Sequence, residues 1–210
     1  MKSWMRRARG AIAALGLLLV VSPLFAAEDK IAFLAEKLKE NTSFKVRLKA
    51  AVMLGRMGDT RAVRPLCRAL DDDNYVVRGA AARALGNLGH PEAVQAVEPL
   101  LGLVGDEEPF VRKEVQRALE RLAGERSLDY FIAALNDDNP RIRLTAVHVL
   151  AMMDSPQARL AMIPALGDSD DEVRAEAIVA VKGLGHADME DLLLAGLQRK
   201  ENYQVQLTSA

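Results

Sequence analysis

Cysteine, tryptophan and histidine are nearly missing from this chain. Its 210 residues hold one Cys, one Trp and three His, and aromatic residues make up only 4%. A single thiol excludes an internal disulfide. Cys67 stands between Leu66 and Leu70 on an apolar helical stripe, where it reads as a small buried hydrophobe. His90, His148 and His186 are far apart in sequence, and no carboxylates or cysteines gather around them at ligand spacing, so no metal site is expected. Serine-nucleophile motifs and strand-like alternation are lacking. Gly55-Arg56-Met57-Gly58 and Gly86-Asn87-Leu88-Gly89 follow no strand, so they read as helix-ending glycines rather than nucleotide loops. The acidic turn from Asp168 to Glu172 lacks the glycine and distant glutamate of a calcium loop, and reads as a solvated capping turn. Together these absences predict a protein that is not an enzyme and carries no cofactor.

Long apolar runs are also scarce. The one clear run, Ala11 to Val21, follows Lys2, Arg6, Arg7 and Arg9 and is broken by Pro23; Leu24-Phe25-Ala26-Ala27 then offers small residues for cleavage. That order describes a secretory leader, and the run falls short of the roughly 20 residues that span a bilayer. Residues 1–27 are therefore expected to be a cleaved signal peptide and residues 28–210 a single domain, periplasmic or secreted. An uncleaved segment would instead anchor the chain in the inner membrane. Nothing after the leader is apolar enough for stable membrane insertion. The leader holds four positive charges and no negative one; of 28 Lys+Arg and 29 Asp+Glu in the chain, its removal leaves a net charge of about −5. An acidic body lacks the basic excess of a general nucleic-acid binder.

What the chain does have is a period. Val46-Arg47, Val77-Arg78, Val111-Arg112, Ile142-Arg143 and Val173-Arg174 recur at arginine spacings of 31, 34, 31 and 31, with a degenerate Val205-Gln206 after 32 more. Such a period means stacked units, none able to bury its apolar face alone. Four residues before each arginine stands a capping type, Ser43, Asn74, Asn139 or Asp170, with Glu108 as the poorer exception; Pro109 and Pro140 follow two of them. Seven residues after it comes Leu54, Leu85, Leu119, Leu150 or Val181, and Gly58, Gly89, Gly124 and Gly185 close four of the five copies. The reading is all-α: about six antiparallel helix pairs, over approximately 28–58, 59–90, 91–125, 126–155, 156–186 and a partial 187–210. The third unit carries three extra residues around Gly102 to Glu107.

The segments ALDDDNYVVRGAAARALGNLG (69–89) and ALGDSDDEVRAEAIVAVKGLG (165–185) resemble the short HEAT-like repeat named after phycobilisome lyases. Tetratricopeptide and ankyrin landmarks are missing. The resemblance covers roughly residues 30 to 205 and implies an α-solenoid, a HEAT-like superhelix. It also implies that the repeated arginines, Arg47, Arg78, Arg112, Arg143 and Arg174, form a structural ladder with turn carboxylates such as Asp73, Asp106, Asp138 and Asp168. Phycobilin lyases of this kind attach tetrapyrroles to partner proteins, but the resemblance supplies no catalytic residue to place here. A di-iron hydroxylase relative uses His-Glu dipeptides, and this chain has none.

If the second helices line an inner curve, their outward positions include Leu48, Val52, Gly79, Arg83, Lys113, Arg117, Arg121, His148, Met152, Ala175 and Val179. The middle of that strip is basic and its ends are apolar, which suits an acidic or amphipathic protein or peptide. Arg83, Lys113, Arg117, Arg121, His148 and Met152 are the candidate partner-binding residues. The function expected from these features is a non-catalytic interaction scaffold in the bacterial cell envelope. The alternative is a lyase-like or cofactor-handling accessory subunit of an enzyme.

Overall fold

In the computed structural model, residues 22–182 are described, with side chains from residue 30 to residue 181. The described residues form ten α-helices and no strand: α1 (Ser22–Glu40), α2 (Phe44–Met57), α3 (Val63–Arg68), α4 (Tyr75–Asn87), α5 (Val97–Leu101), α6 (Pro109–Leu122), α7 (Leu128–Ala134), α8 (Pro140–Met152), α9 (Pro156–Ala161) and α10 (Asp171–Lys182). They alternate as first and second members of five hairpins, an α-solenoid. None is long and apolar enough to cross a membrane. The expectations for residues 1–21 of the leader and for the partial sixth unit lie outside the described residues, as does Gly185.

First and second members differ in length for a local reason. The second helices run 12 to 14 residues and begin one residue after the capping positions. Asn74 and Asn139 accept from the N–H groups of Val76 and Arg141 at 3.0 Å, and Asp170 from Glu172 at 2.9 Å. After α1, the first members are α-helical for only five to seven residues. Tighter 3₁₀ turns flank them at Thr60–Ala62, Ala69–Asp71, Pro91–Ala96, Glu125–Ser127 and Ile163–Gly167. Pro65, Pro99 and Pro164 lie within these segments and lack the N–H that regular winding needs.

The aliphatic seven residues past each arginine is the centre of the core: Leu54, Leu85, Leu119 and Leu150 are all fully buried. They join one continuous cluster running from Ile31 to Ala177, built largely from Ala, Val and Leu. Cys67 is half-buried, and burial pushes its thiol up to about 11, so it packs rather than reacts.

Small residues set how closely the second helices approach. A Cβ on Gly55 would sit 2.6 Å from Ala84 Cβ, and one on Gly86 would sit 2.7 Å from Ala118 Cα. Gly86 therefore lies inside α4 as a helix-crossing residue, which corrects its reading as a terminator. Gly58 and Gly89 do end helices, at φ of 64° and 60°. Gly124 closes α6 differently: it is extended, and its N–H donates to the buried Ser127 hydroxyl at 2.9 Å.

The arginines bind the turns together. Arg47 donates to Asp72 through Nε at 2.6 Å and Nη2 at 2.7 Å, while Nη1 reaches the Asn41 carbonyl at 2.9 Å. Arg78 repeats this with Asp106 at 2.8 and 3.1 Å, and Arg143 with Asp168 at 2.8 and 2.7 Å. Each carboxylate belongs to the next unit's turn and also accepts the amide two residues on, as Asp72 does from Asn74 at 2.9 Å. Asp72 thus takes the place expected of Asp73, and Asp138 is not a rung either. The acid that closes its own turn is the one aimed back at the preceding arginine. Arg174 donates to the Asp168 carbonyl at 2.6 Å and to Asp171 in its own helix.

Burial pushes the Asp72 and Asp106 carboxyls up, but bonds from Arg47, Arg78 and the turn amides outweigh it and hold both below the usual carboxylate range. The hydrogen bond from Arg143 does the same for Asp168. Carboxyls depressed by folding add stability above their unfolded value of about 4, and that stability is lost as pH falls through the lower folded values. Thermal melting is expected to drop steeply as the buffer is acidified below about pH 4, and the joint Asp72→Asn, Asp106→Asn, Asp168→Asn variant to lose part of that slope. An unchanged slope would mean the ladder contributes nothing to acid sensitivity. Gly86→Val should cost about 1–3 kcal/mol by forcing α4 from α6, read as a lower Tm, whereas the exposed, extended Gly124→Ala should melt nearly as wild type.

Candidate functional site

The second helices α2, α4 and α6 form one face because their Gly–Ala crossings are close. On it lies a groove of about 450 Å³, lined by Leu48, Val52 and Arg56 of α2, Val76, Ala80, Arg83 and Asn87 of α4, and Phe110 of α6. Its size falls in the range of ligand-holding clefts. The Phe110 ring reaches over Gly79, where a Cβ would meet Phe110 Cε1 at 2.2 Å. Gly79 was expected to face outward. It is buried, and the missing side chain is what lets the aromatic floor form. Tyr75 meets Phe110 edge-on, with ring centroids 6.4 Å apart.

The cations beside this floor are tied to the protein itself. Arg83 Nε donates to Glu114 Oε2 at 2.8 Å, and its guanidinium lies 5.8 Å from the Phe110 ring centroid. Arg117 donates to Glu114 Oε1 at 3.3 Å. The Glu114 side chain is only 4% exposed, and the hydrogen bond from Arg83 holds its carboxyl below the ordinary range. Arg121 bonds the Asn87 side chain. His148 Nδ1 lies 2.9 Å from Glu176 and its Nε2 lies 3.6 Å from Glu120. Lys113 is exposed, and Met152 is 56% exposed.

The six candidate partner-binding residues thus share one side of the solenoid without forming a free basic strip. Sequence reasoning passed over Glu114, Asn87 and Phe110 as organisers. Glu114, falling on the apolar helical stripe of Val111, Val115 and Ala118, was the available signal. No group of three or more His, Cys, Asp or Glu side chains among the described residues could hold a metal ion.

This geometry defines a class: a stack of helical hairpins presenting one helix-lined face. HEAT repeats match residues 31–102, 74–141 and 128–210, and the chain belongs to the HEAT-repeat family. Over 162 residues it is 30% identical to the bilin biosynthesis protein PecE of Mastigocladus laminosus, covering 74% of this chain and 58% of that one. It is 25% identical over 154 residues to the phycocyanobilin lyase subunit alpha of Picosynechococcus sp., covering 68% and 57%. The chain therefore spans less than two thirds of the length of these relatives. Among solved structures, a TOG-domain chain of crescerin superposes with a TM-score of 0.59 at 20% identity, covering 78% of this chain and 81% of that one, a likeness of fold. The relatives overturn the expectation that the chain is no enzyme, since proteins similar to it are named as a lyase subunit and a bilin biosynthesis protein. Composition could not show this, because the chain lacks only the motifs of other chemistries.

Removing the Arg83 cation should expose the dependence of the face on Glu114. Arg83→Glu is expected to cost about 1–2 kcal/mol, less than a fully buried broken pair because Arg83 is half exposed, and to lower Tm. Lys49→Glu, an exposed charge reversal on α2 remote from Glu114, should leave Tm within error; equal losses would mean that Glu114 does not organise the site.

Proposed function

We propose that this chain is an accessory subunit of a phycobilin-lyase-like enzyme, holding a protein partner or its tetrapyrrole along the face built by α2, α4 and α6. The observation that carries the reading is the 30% identity to a bilin biosynthesis protein over most of the chain. The groove supports it physically. An apolar floor of Val52, Val76, Ala80 and Phe110, edged by Arg56, suits a planar amphipathic group bearing a carboxylate. The same elements suit the apolar stripe of a partner helix. In such an enzyme the groove binds and orients the group that is attached. Export rests on residues 1–27 alone.

The test uses phycocyanobilin added to the purified chain. A shifted absorbance band with induced circular dichroism is expected, weakened about tenfold in affinity by Phe110→Ala, which removes the floor. An unaltered bilin spectrum at saturating protein, together with no stimulation of bilin attachment when a lyase partner subunit and its acceptor are supplied, would overturn the reading.

A further inference from the structure

The regular stack is interrupted between the third and fourth hairpins. α4 packs extensively on α6, but α6 and α8 meet at few points. The register explains it. Where Gly55 meets Ala84 and Gly86 meets Ala118, the equivalent positions of α6 and α8 carry Glu120 and Val149. Larger side chains hold these helices apart. The ladder fails at the same place. Arg112 Nη1 is anchored like its counterparts, on the Asp106 carbonyl at 2.6 Å and the Glu107 carbonyl at 2.8 Å. Yet among the described residues no carboxylate accepts from its Nε or Nη2. Asp137, the acid at the rung position, accepts only its own turn's Asn139 amide, at 2.8 Å. A groove of about 500 Å³ opens here, between Arg112 and Gln116 of α6 and Arg141, Leu144 and His148 of α8, with Val104 of the inserted loop at its edge.

We infer that this seam is a receptor for an acidic side chain of a protein partner, which completes the third rung by taking the Nε and Nη2 edge of Arg112. In Arg47 and Arg143 that edge holds an aspartate bidentately at 2.6 to 2.8 Å, and Arg112 is presented for it by the same carbonyl anchors. A guanidinium held in this way has lost its rotamer freedom beforehand, so a carboxylate meets a preorganised fork. Arg141, exposed beside it with its guanidinium near Gly105, adds a second positive charge. Of the two acids that line the groove, Glu172 and Glu176, the second is held by His148 Nδ1 at 2.9 Å, and among the described residues neither accepts a hydrogen bond from Arg112 or Arg141. In every filled rung the acid arrives on a backbone turn, and the seam is an open surface groove flanked by Leu144 and Val104. Those shoulders fit a peptide segment better than a free small acid. The inference stands whether or not the partner is a bilin acceptor.

The probe is a fluorescein-labelled oligoglutamate peptide titrated into the full chain at low ionic strength, followed by anisotropy. Saturable binding is expected, weakened about tenfold by Arg141→Glu and by Arg112→Gln, and left within twofold by Lys49→Glu on α2, a charge change of the same sign remote from the seam. Should Arg112→Gln fail to fold, Arg141→Glu decides alone, because Arg141 forms no rung. No saturable binding, or an equal loss in Lys49→Glu, would overturn the assignment. Competition by free succinate at the peptide's own affinity would also overturn it, by showing that the seam takes a small dicarboxylate.

Discussion

Everything in this solenoid is aligned by a guanidinium fixed in the first turn of each second helix. Its Nη1 satisfies the carbonyls of its own turn, and in Arg47, Arg78 and Arg143 the opposite edge clamps the next unit's aspartate. A planar fork with always-charged donors can do both at once, which a lysine cannot. Because each bond set spans one repeat, the spacing of the arginines is tied to the spacing of the turns. The burial that stabilises the fold follows from that alignment, since Leu54, Leu85, Leu119 and Leu150 reach the same depth only if successive hairpins stack in register.

Helix separation is a second constraint layered on the first. Glycine and alanine at the crossings bring α2, α4 and α6 close enough to share one surface. That closeness creates the apolar groove, for its floor is assembled from three helices and would open if they were spread apart. Between α6 and α8 the crossing residues are larger, the rung is unmade and the inserted loop intrudes, all at one place. Three separate features coinciding there mark a discontinuity written into the sequence rather than a local irregularity.

Much of this was legible beforehand. Period, cap positions and the buried aliphatic seven residues on all follow from short-range rules that neighbouring units repeat, so five copies reinforce one another. Details that depend on contacts between units were not legible. Asp72 and Asp73 are chemically alike, and only the turn geometry decides which one faces Arg47. Gly86 looked like a terminator because glycine serves both roles, and its partner Ala118 is 32 residues away. Gly79 was placed outward by counting, but counting cannot see that Phe110 of the following helix lies across it. The link to bilin-related proteins was the least legible, because no motif of the chain signals it and similarity to named relatives had to supply it.

The ion pairs revise what kind of recognition the face can perform. A row of arginines suggested electrostatic capture, yet Arg83 and Arg117 are spent on Glu114, and Arg121 on Asn87. A cation already bonded to a buried carboxylate contributes little free field, and a competing acid would have to displace a bond of similar strength. Affinity along α2, α4 and α6 must therefore come chiefly from the apolar floor, where Val52 and Phe110 offer area to cover. Charge recognition shifts to the seam, where Arg112 and Arg141 form no side-chain ion pair among the described residues. One solenoid thus separates its apolar and ionic contacts onto neighbouring stretches, and a partner long enough to touch both gains affinity from each without any new contact between them.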